Sequence, residues 1–177
     1  MYKRCLTTNL AIILTLLAGC IPPPGAVLET PISSASGIPE AEEVEILVYF
    51  TSTSRYAQGI QPYESPVIRR IPANTSSPRT VLEEFFKGPT HTERELDLEA
   101  ITSGFTGLRS FELKDGYAHV YLEGSCQSLG ATYTVAQPIL RNLAQFPDIQ
   151  YVKIYDEHGS TNDSQSPGHS IPLCLEP

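Results

Sequence analysis

The sequence predicts an α+β domain in which two helices pack on one face of a four-stranded antiparallel sheet. Three observations carry this: a nearly unbroken apolar, β-branched run at Val44 to Phe50, an Asp-Gly hairpin at 115–116, and two segments of helical period that each end in a stop signal. Together they give the order β-α-β-β-α-β, which favours helices segregated to one side of a sheet.

The first strand is read from Val44-Glu45-Ile46-Leu47-Val48-Tyr49-Phe50, whose lack of polar alternation is the mark of a strand inside a sheet. A long loop follows. Ser77 then caps a helix over 78–87: Pro78 suits its first position, Val81, Leu82, Phe85 and Phe86 recur on one side, and Gly88-Pro89 ends it. The next two strands, Arg109 to Lys114 and Tyr117 to Leu122, flank Asp115-Gly116, a pair suited to a type I′ turn because both central residues take positive φ. A two-residue loop fixes the register: Leu113 opposite Ala118, Phe111 opposite Val120, Glu112 opposite His119 and Ser110 opposite Tyr121. A second helix lies between Thr132 and Gln145, with Ala136, Ile139, Leu140, Leu143 and Ala144 as its buried stripe. Pro138 sits early enough to be tolerated if Thr134 and Gln137 form a capping box. The closing strand, Tyr151 to Asp156, alternates with Val152 and Ile154 inward.

Outside this domain, at 44–156, the chain divides into three further parts. Residues 1–19 read as a lipoprotein signal peptide: Lys3-Arg4 is a positive start, and Leu10 to Leu17 is an apolar stretch too short for the roughly 20 residues of a membrane span. Leu17-Ala18-Gly19-Cys20 resembles a bacterial lipobox, in which small residues admit the strand to a peptidase groove and the thiol of Cys20 carries the lipid. Residues 20–43 read as a Pro- and Ser-rich tether behind the lipidated cysteine. Residues 157–177 form a C-terminal tail packed on the domain. The expected location is extracytoplasmic, held to the membrane by an N-terminal lipid.

An oxidising compartment suits the remaining thiols. Of the four cysteines, Cys5 leaves with the signal and Cys20 takes the lipid, so Cys126 and Cys174 are an even pair expected to form a disulfide that staples the tail. Two free thiols or a metal pair are the alternatives. Charge narrows the partners: 12 Lys and Arg against 20 Asp and Glu leave a net charge of −8, with no basic block to meet a phosphate backbone. Nucleic acid is excluded on that ground.

Catalysis finds little support. There is no G-x-S-x-G, both remaining cysteines have another use, and the acids are scattered rather than paired across a cleft. Nothing calls for a cofactor. The loop from Asp156 to Asp163, with His158 and His169, holds the weak metal candidates Asp156 and Asp163, but their spacing fits no EF-hand. The more informative surface is the sheet face away from the helices. Alternation places there Leu47 and Tyr49 from the first strand, Tyr117, His119 and Tyr121 from the third, and Tyr151, Lys153 and Tyr155 from the last. Aromatic rows of this kind are enriched at interfaces. The face either meets a partner or is covered by the tail, whose Ile171-Pro172-Leu173-Cys174-Leu175 is itself apolar.

Several segments in order carry a family resemblance over about 44–156: Val48-Tyr49-Phe50, Arg70-Ile71-Pro72, Leu82 with Phe86-Lys87-Gly88-Pro89-Thr90 and Glu93, the hairpin Lys114 to Leu122, and Leu143-Ala144-Gln145-Phe146-Pro147 with Val152-Lys153-Ile154. The chain resembles the GerMN domain of sporulation and spore-germination lipoproteins. That resemblance implies a ring-building, ferredoxin-like type of fold. It also implies a non-enzymatic module that binds another envelope protein or a second copy of itself within an envelope complex. An anchored sensor of a small ligand or metal is the alternative function.

Overall fold

The structure is a computed structural model and describes residues 42–177; the segment read as a signal peptide, the Leu17, Ala18, Gly19 and Cys20 read as a lipobox, and nearly all of the segment read as a tether lie outside the described residues. The chain runs β1 (Glu43–Ser52), α1 (Thr53–Gln58), β2 (Glu64–Pro72), α2 (Pro78–Phe86), α3 (His91–Glu95), β3 (Leu98–Glu99), β4 (Phe105–Lys114), β5 (Tyr117–Gly124), α4 (Ala136–Leu143) and β6 (Tyr151–Tyr155). Short 3₁₀ turns occupy Ala73–Thr75 and Leu173–Leu175.

The expected four-stranded antiparallel sheet is replaced by two three-stranded sheets, ordered β2-β1-β3 and β4-β5-β6. Two physical causes account for the difference. First, β2 occupies the segment read as a loop. Its Pro66, Pro72, Arg69 and Arg70 weaken any strand signal, yet proline is admissible on an edge strand, and β2 pairs antiparallel with β1 from Glu43 opposite Pro72 to Thr51 opposite Glu64. Second, β5 reaches β6 through α4, and a strand-helix-strand crossover returns the chain in the same direction. Accordingly β5 and β6 are parallel, with Tyr117 beside Tyr151 and Tyr121 beside Tyr155. The central position of β1 is as its apolar run predicts.

The hairpin keeps the predicted register at every pair from Ser110 and Tyr121 to Leu113 and Ala118. Asp115 and Gly116 have φ of 53° and 80°, both positive as the turn requires. A register shift between Leu108 and Ser110 inserts Arg109 as an extra residue on β4.

Both sheets and two helices share one core. Ile46, Val48 and Phe50 of β1, Val81, Leu82 and Phe85 of α2, Ala118, Val120 and Leu122 of β5, Ile139 and Leu143 of α4, and Val152 and Ile154 of β6 are buried together. Phe50 stacks on Phe85 with ring centroids 5.7 Å apart. Helix α2 begins as read, with the Ser77 hydroxyl accepting from Thr80 N–H and Pro78 at its first position. At α4, Gln137 Oε1 accepts from Thr134 N–H at 2.7 Å, one half of the expected box, while Val135 takes the cap position. Pro138 then falls in the first turn, where its missing N–H costs no helix bond.

Helix α3 carries the complete box that α4 lacks: Thr90 and Glu93 bond each other's backbone N–H groups. Glu93 is also gripped by the Arg69 guanidinium of β2, with Nη2 to Oε2 at 2.6 Å and Nη1 to Oε1 as the second contact. This pair fastens α3 to the edge strand. The hydrogen bond from Arg69 holds the Glu93 carboxyl below its ordinary 4.5, against the opposing effect of burial. A lowered folded pKa means stability that is present above the unfolded value and lost as pH falls through the folded one. Glu93→Ala is therefore expected to cost about 2 kcal/mol at neutral pH. Urea unfolding should show this gap closing as the pH is lowered below the ordinary carboxylate range; a pH-independent gap would contradict the assignment.

Candidate functional site

Because Ala118, Val120 and Leu122 point into the core, their neighbours Tyr117, His119 and Tyr121 stand on the opposite face of β5. The parallel partner β6 repeats the pattern. Val152 and Ile154 are inward, while Tyr151, Lys153 and Tyr155 face the same way as the β5 row. The rings pair across the two strands, with Tyr117 and Tyr151 at 5.2 Å, His119 and Tyr155 at 5.9 Å, and Tyr121 and Tyr155 stacked at 4.4 Å. His119 Nδ1 and the Tyr155 hydroxyl share a hydrogen bond of 3.0 Å. Burial, then the neighbouring Tyr121, pushes the Tyr155 phenol above its ordinary value. The bulge on β4 adds a cation: the Arg109 guanidinium lies 5.7 Å from the Tyr121 ring centre and donates to the Glu157 carbonyl at 2.9 Å.

Three of the residues predicted for this open face depart from that expectation. Tyr49 belongs to the other sheet and lies beneath the Arg141 guanidinium of α4 at 4.6 Å, away from the tyrosine row; its neighbour Leu47 is likewise on β1. Lys153 is on the face but only 1% exposed. Its ammonium donates to the carbonyls of Asp163 at 2.9 Å and Ser166 at 2.8 Å, beside the Tyr117 ring. Alternation locates a side chain on a face, but it cannot show that a later segment folds over it.

That segment is the tail. Ser170 bridges Lys153 in parallel, donating to the Val152 carbonyl at 3.0 Å and accepting from Ile154 N–H at 2.9 Å, so it extends the outer edge of β6 by one residue. Cys126 and Cys174 form a disulfide with Cα atoms 6.4 Å apart. Beyond it, Leu175 is buried in the core, and its carbonyl accepts from the Thr134 hydroxyl. The apolar end of the tail thus enters the core, whereas residues 163–166 flank the tyrosine face at Lys153. Tyr117, His119, Tyr121 and Tyr151 remain half-buried, and Tyr155 is buried.

The weak metal candidates are otherwise engaged. Asp156 Oδ1 accepts from the N–H groups of His158 and Ser160, and Asp163 Oδ1 from those of Gln165 and Ser166. The Asp163 bonds hold its carboxyl below the usual range. Among the described residues no group of three or more His, Cys, Asp or Glu side chains is arranged to hold a metal.

A second aromatic cluster escaped the sequence reading. Tyr56, Tyr63 and Tyr133 meet with ring centroids 5.2 to 5.6 Å apart, and Tyr133 donates to Glu64 at 2.6 Å. Burial and the Glu64 carboxylate push the Tyr133 phenol well above its ordinary value. Its members come from three loop-flanked segments with no shared period.

These features define a small α+β domain, closed by a disulfide-tied tail, whose distinguishing surface is a row of stacked tyrosines and a histidine on the helix-free face of a sheet. The family model "Germane: Sporulation and spore germination" matches residues 47–158, and the chain belongs to that family, alongside GerM-like proteins. The family is not one of known enzymes. Among solved structures, the tandem GerMN domains of the sporulation protein GerM from Bacillus subtilis are similar at 20% identity and a TM-score of 0.49, over 67% of this chain and 40% of that one. This chain is thus matched to well under half the length of that tandem protein. No curated protein matches the chain.

Proposed function

We propose that this protein is a lipid-anchored, extracytoplasmic and non-enzymatic binding module that acts by protein-protein contact in a cell-envelope complex, in the sporulation and germination context of its family. The observation that supports this most is the aromatic row of β5 and β6. Tyr121 and His119 stack on Tyr155, and Tyr117 packs against Tyr151, so a partner docking on them orders little that is not already ordered. The anchor reading is supported by the lipobox ending at Cys20 behind its apolar stretch. The acidic balance of the chain leaves the lipid, rather than charge, to hold the membrane.

In situ cross-linking and capture from the native envelope tests the reading. One defined protein, or a second copy, should be recovered with wild type and lost with a folded Tyr117→Ala, Tyr121→Ala variant. Cys20→Ser should move the protein out of the membrane fraction. Equal recovery by wild type and the tyrosine variant, both folded, would remove the face from consideration. Retention of Cys20→Ser in the membrane would remove the lipid anchor.

A further inference from the structure

A groove of about 490 Å³ runs between α4 and β6, and one of its walls, His169, packs edge-on against Tyr151 with ring centroids 5.9 Å apart. Leu140, Ile149 and Val152 give it an apolar lining. Arg141, Gln137, Gln150 and His169 contribute its polar groups. The state of the guanidinium is the informative feature. Arg55, Arg69, Arg70, Arg79, Arg94 and Arg109 each donate to a carboxylate or a carbonyl. Arg141 has no such partner among the described residues and is instead positioned over the Tyr49 ring at 4.6 Å. In a chain of net charge −8, an exposed arginine held over a ring and without a carboxylate or carbonyl partner among the described residues presents its guanidinium to a planar anion.

The neighbouring groups specify what accompanies the anion. Val152 N–H donates to His169 Nδ1 at 3.0 Å, so Nδ1 accepts and the other ring nitrogen, Nε2, carries the ring N–H. Gln137 Oε1 is occupied by Thr134 N–H at 2.7 Å, which leaves its amide NH₂ as a donor. Gln150 offers both an amide carbonyl and NH₂. Glu64 also lines the groove, its carboxylate accepting from the Tyr133 hydroxyl, and repels an anion placed beside it. One bidentate cation, amide donors and acceptors, and an apolar lining match one chemical class: a free carboxylate followed by an amide and an apolar side chain.

We propose that this groove binds the C-terminal residues of a peptide, with the terminal carboxylate on Arg141, the preceding amide between Gln137 and Gln150, and an apolar side chain on Leu140, Ile149 and Val152. It is a second site, which meets the tyrosine face only where His169 packs on Tyr151.

Titration of the full chain in detergent with N-acetyl-leucyl-alanine, followed by NMR shifts or calorimetry, tests it. The free acid should bind, and the same peptide ending in a carboxamide should bind about ten- to a hundredfold more weakly, the range expected when a charged hydrogen bond is lost. Arg141→Gln should reproduce that loss with the acid and be indifferent to the amide. Gln150→Ala, away from the Tyr49 ring, should weaken both peptides. Equal binding of acid and amide, unchanged binding by Arg141→Gln, or no binding by wild type at millimolar peptide would each overturn the proposal. Because neither variant touches Tyr117 or Tyr121, failure here leaves the envelope-partner reading to its own test.

Discussion

Replacing Asn142 with leucine is expected to cost about 3 to 5 kcal/mol, an effect of core size from one polar side chain. Strand β1 is bonded along its whole length to β2, but on its other side it meets β3 only at Thr51 and Ser52. The backbone of Tyr49 therefore faces the helix layer. Asn142, fully buried on α4, supplies what a neighbouring strand would: its Oδ1 accepts from Tyr49 N–H and its Nδ2 donates to the Tyr49 carbonyl, both at 2.9 Å. A further bond to the Pro138 carbonyl, also 2.9 Å, fixes the amide within its own helix. Leucine fills a similar volume but orphans both backbone groups of the half-buried Tyr49 against the α4 face. Asn142→Asp separates the two roles. A carboxylate can still accept from Tyr49 N–H, but it opposes two carbonyls, so its loss should be large at neutral pH and smaller in acid, where a protonated oxygen can donate. Urea unfolding of the three proteins reads both effects. A cost below about 1 kcal/mol for the leucine variant would show that water replaces the amide.

Asn142 also marks the boundary of what sequence patterning reveals. Local signals translate directly: the Asp115-Gly116 turn sets a register that holds pair by pair, and the Ser77-Pro78 start and Gly88 stop frame α2. Each is decided by residues within one turn or one hairpin. The layer arrangement is not, because it depends on which backbone groups remain to be satisfied after β1 and β2 pair. A buried asparagine in an apolar helical stripe was the visible clue, since such a residue must bond something distant. The edge strand β2 and the helix α3 were hidden for the opposite reason. The helix is polar throughout and the strand is broken by two prolines and an arginine pair, and their stability comes from partners elsewhere: β1 for the strand, and Arg69 for Glu93. In the same way, the tyrosine row was legible from alternation, whereas the burial of Lys153 depends on carbonyls that arrive from the tail.

The tail supplies the second large effect. Removing the disulfide with the pair Cys126→Ser, Cys174→Ser should cost about 4 kcal/mol by the loop-entropy model, less any strain released, since the bond joins residues 48 positions apart. Truncation after Asp156 should cost more, because it deletes other interactions as well. Leu175 leaves the core, which alone is worth about 1.5 to 3 kcal/mol. Lys153 loses both its carbonyl acceptors, and the Cys126 N–H loses the Glu157 carboxylate. Against a total stability of about 5 to 15 kcal/mol for a domain, the truncated chain should be largely unfolded at room temperature, whereas the serine pair should stay folded with a lowered melting temperature. The comparison isolates what the tail does. Equal losses in the two variants would reduce the tail to a cross-link, and an unchanged truncation would show that residues 157–177 add nothing to the fold. A truncation that fails where the serine pair survives would establish the tail as part of the core, with the disulfide fixing a segment that burial already holds.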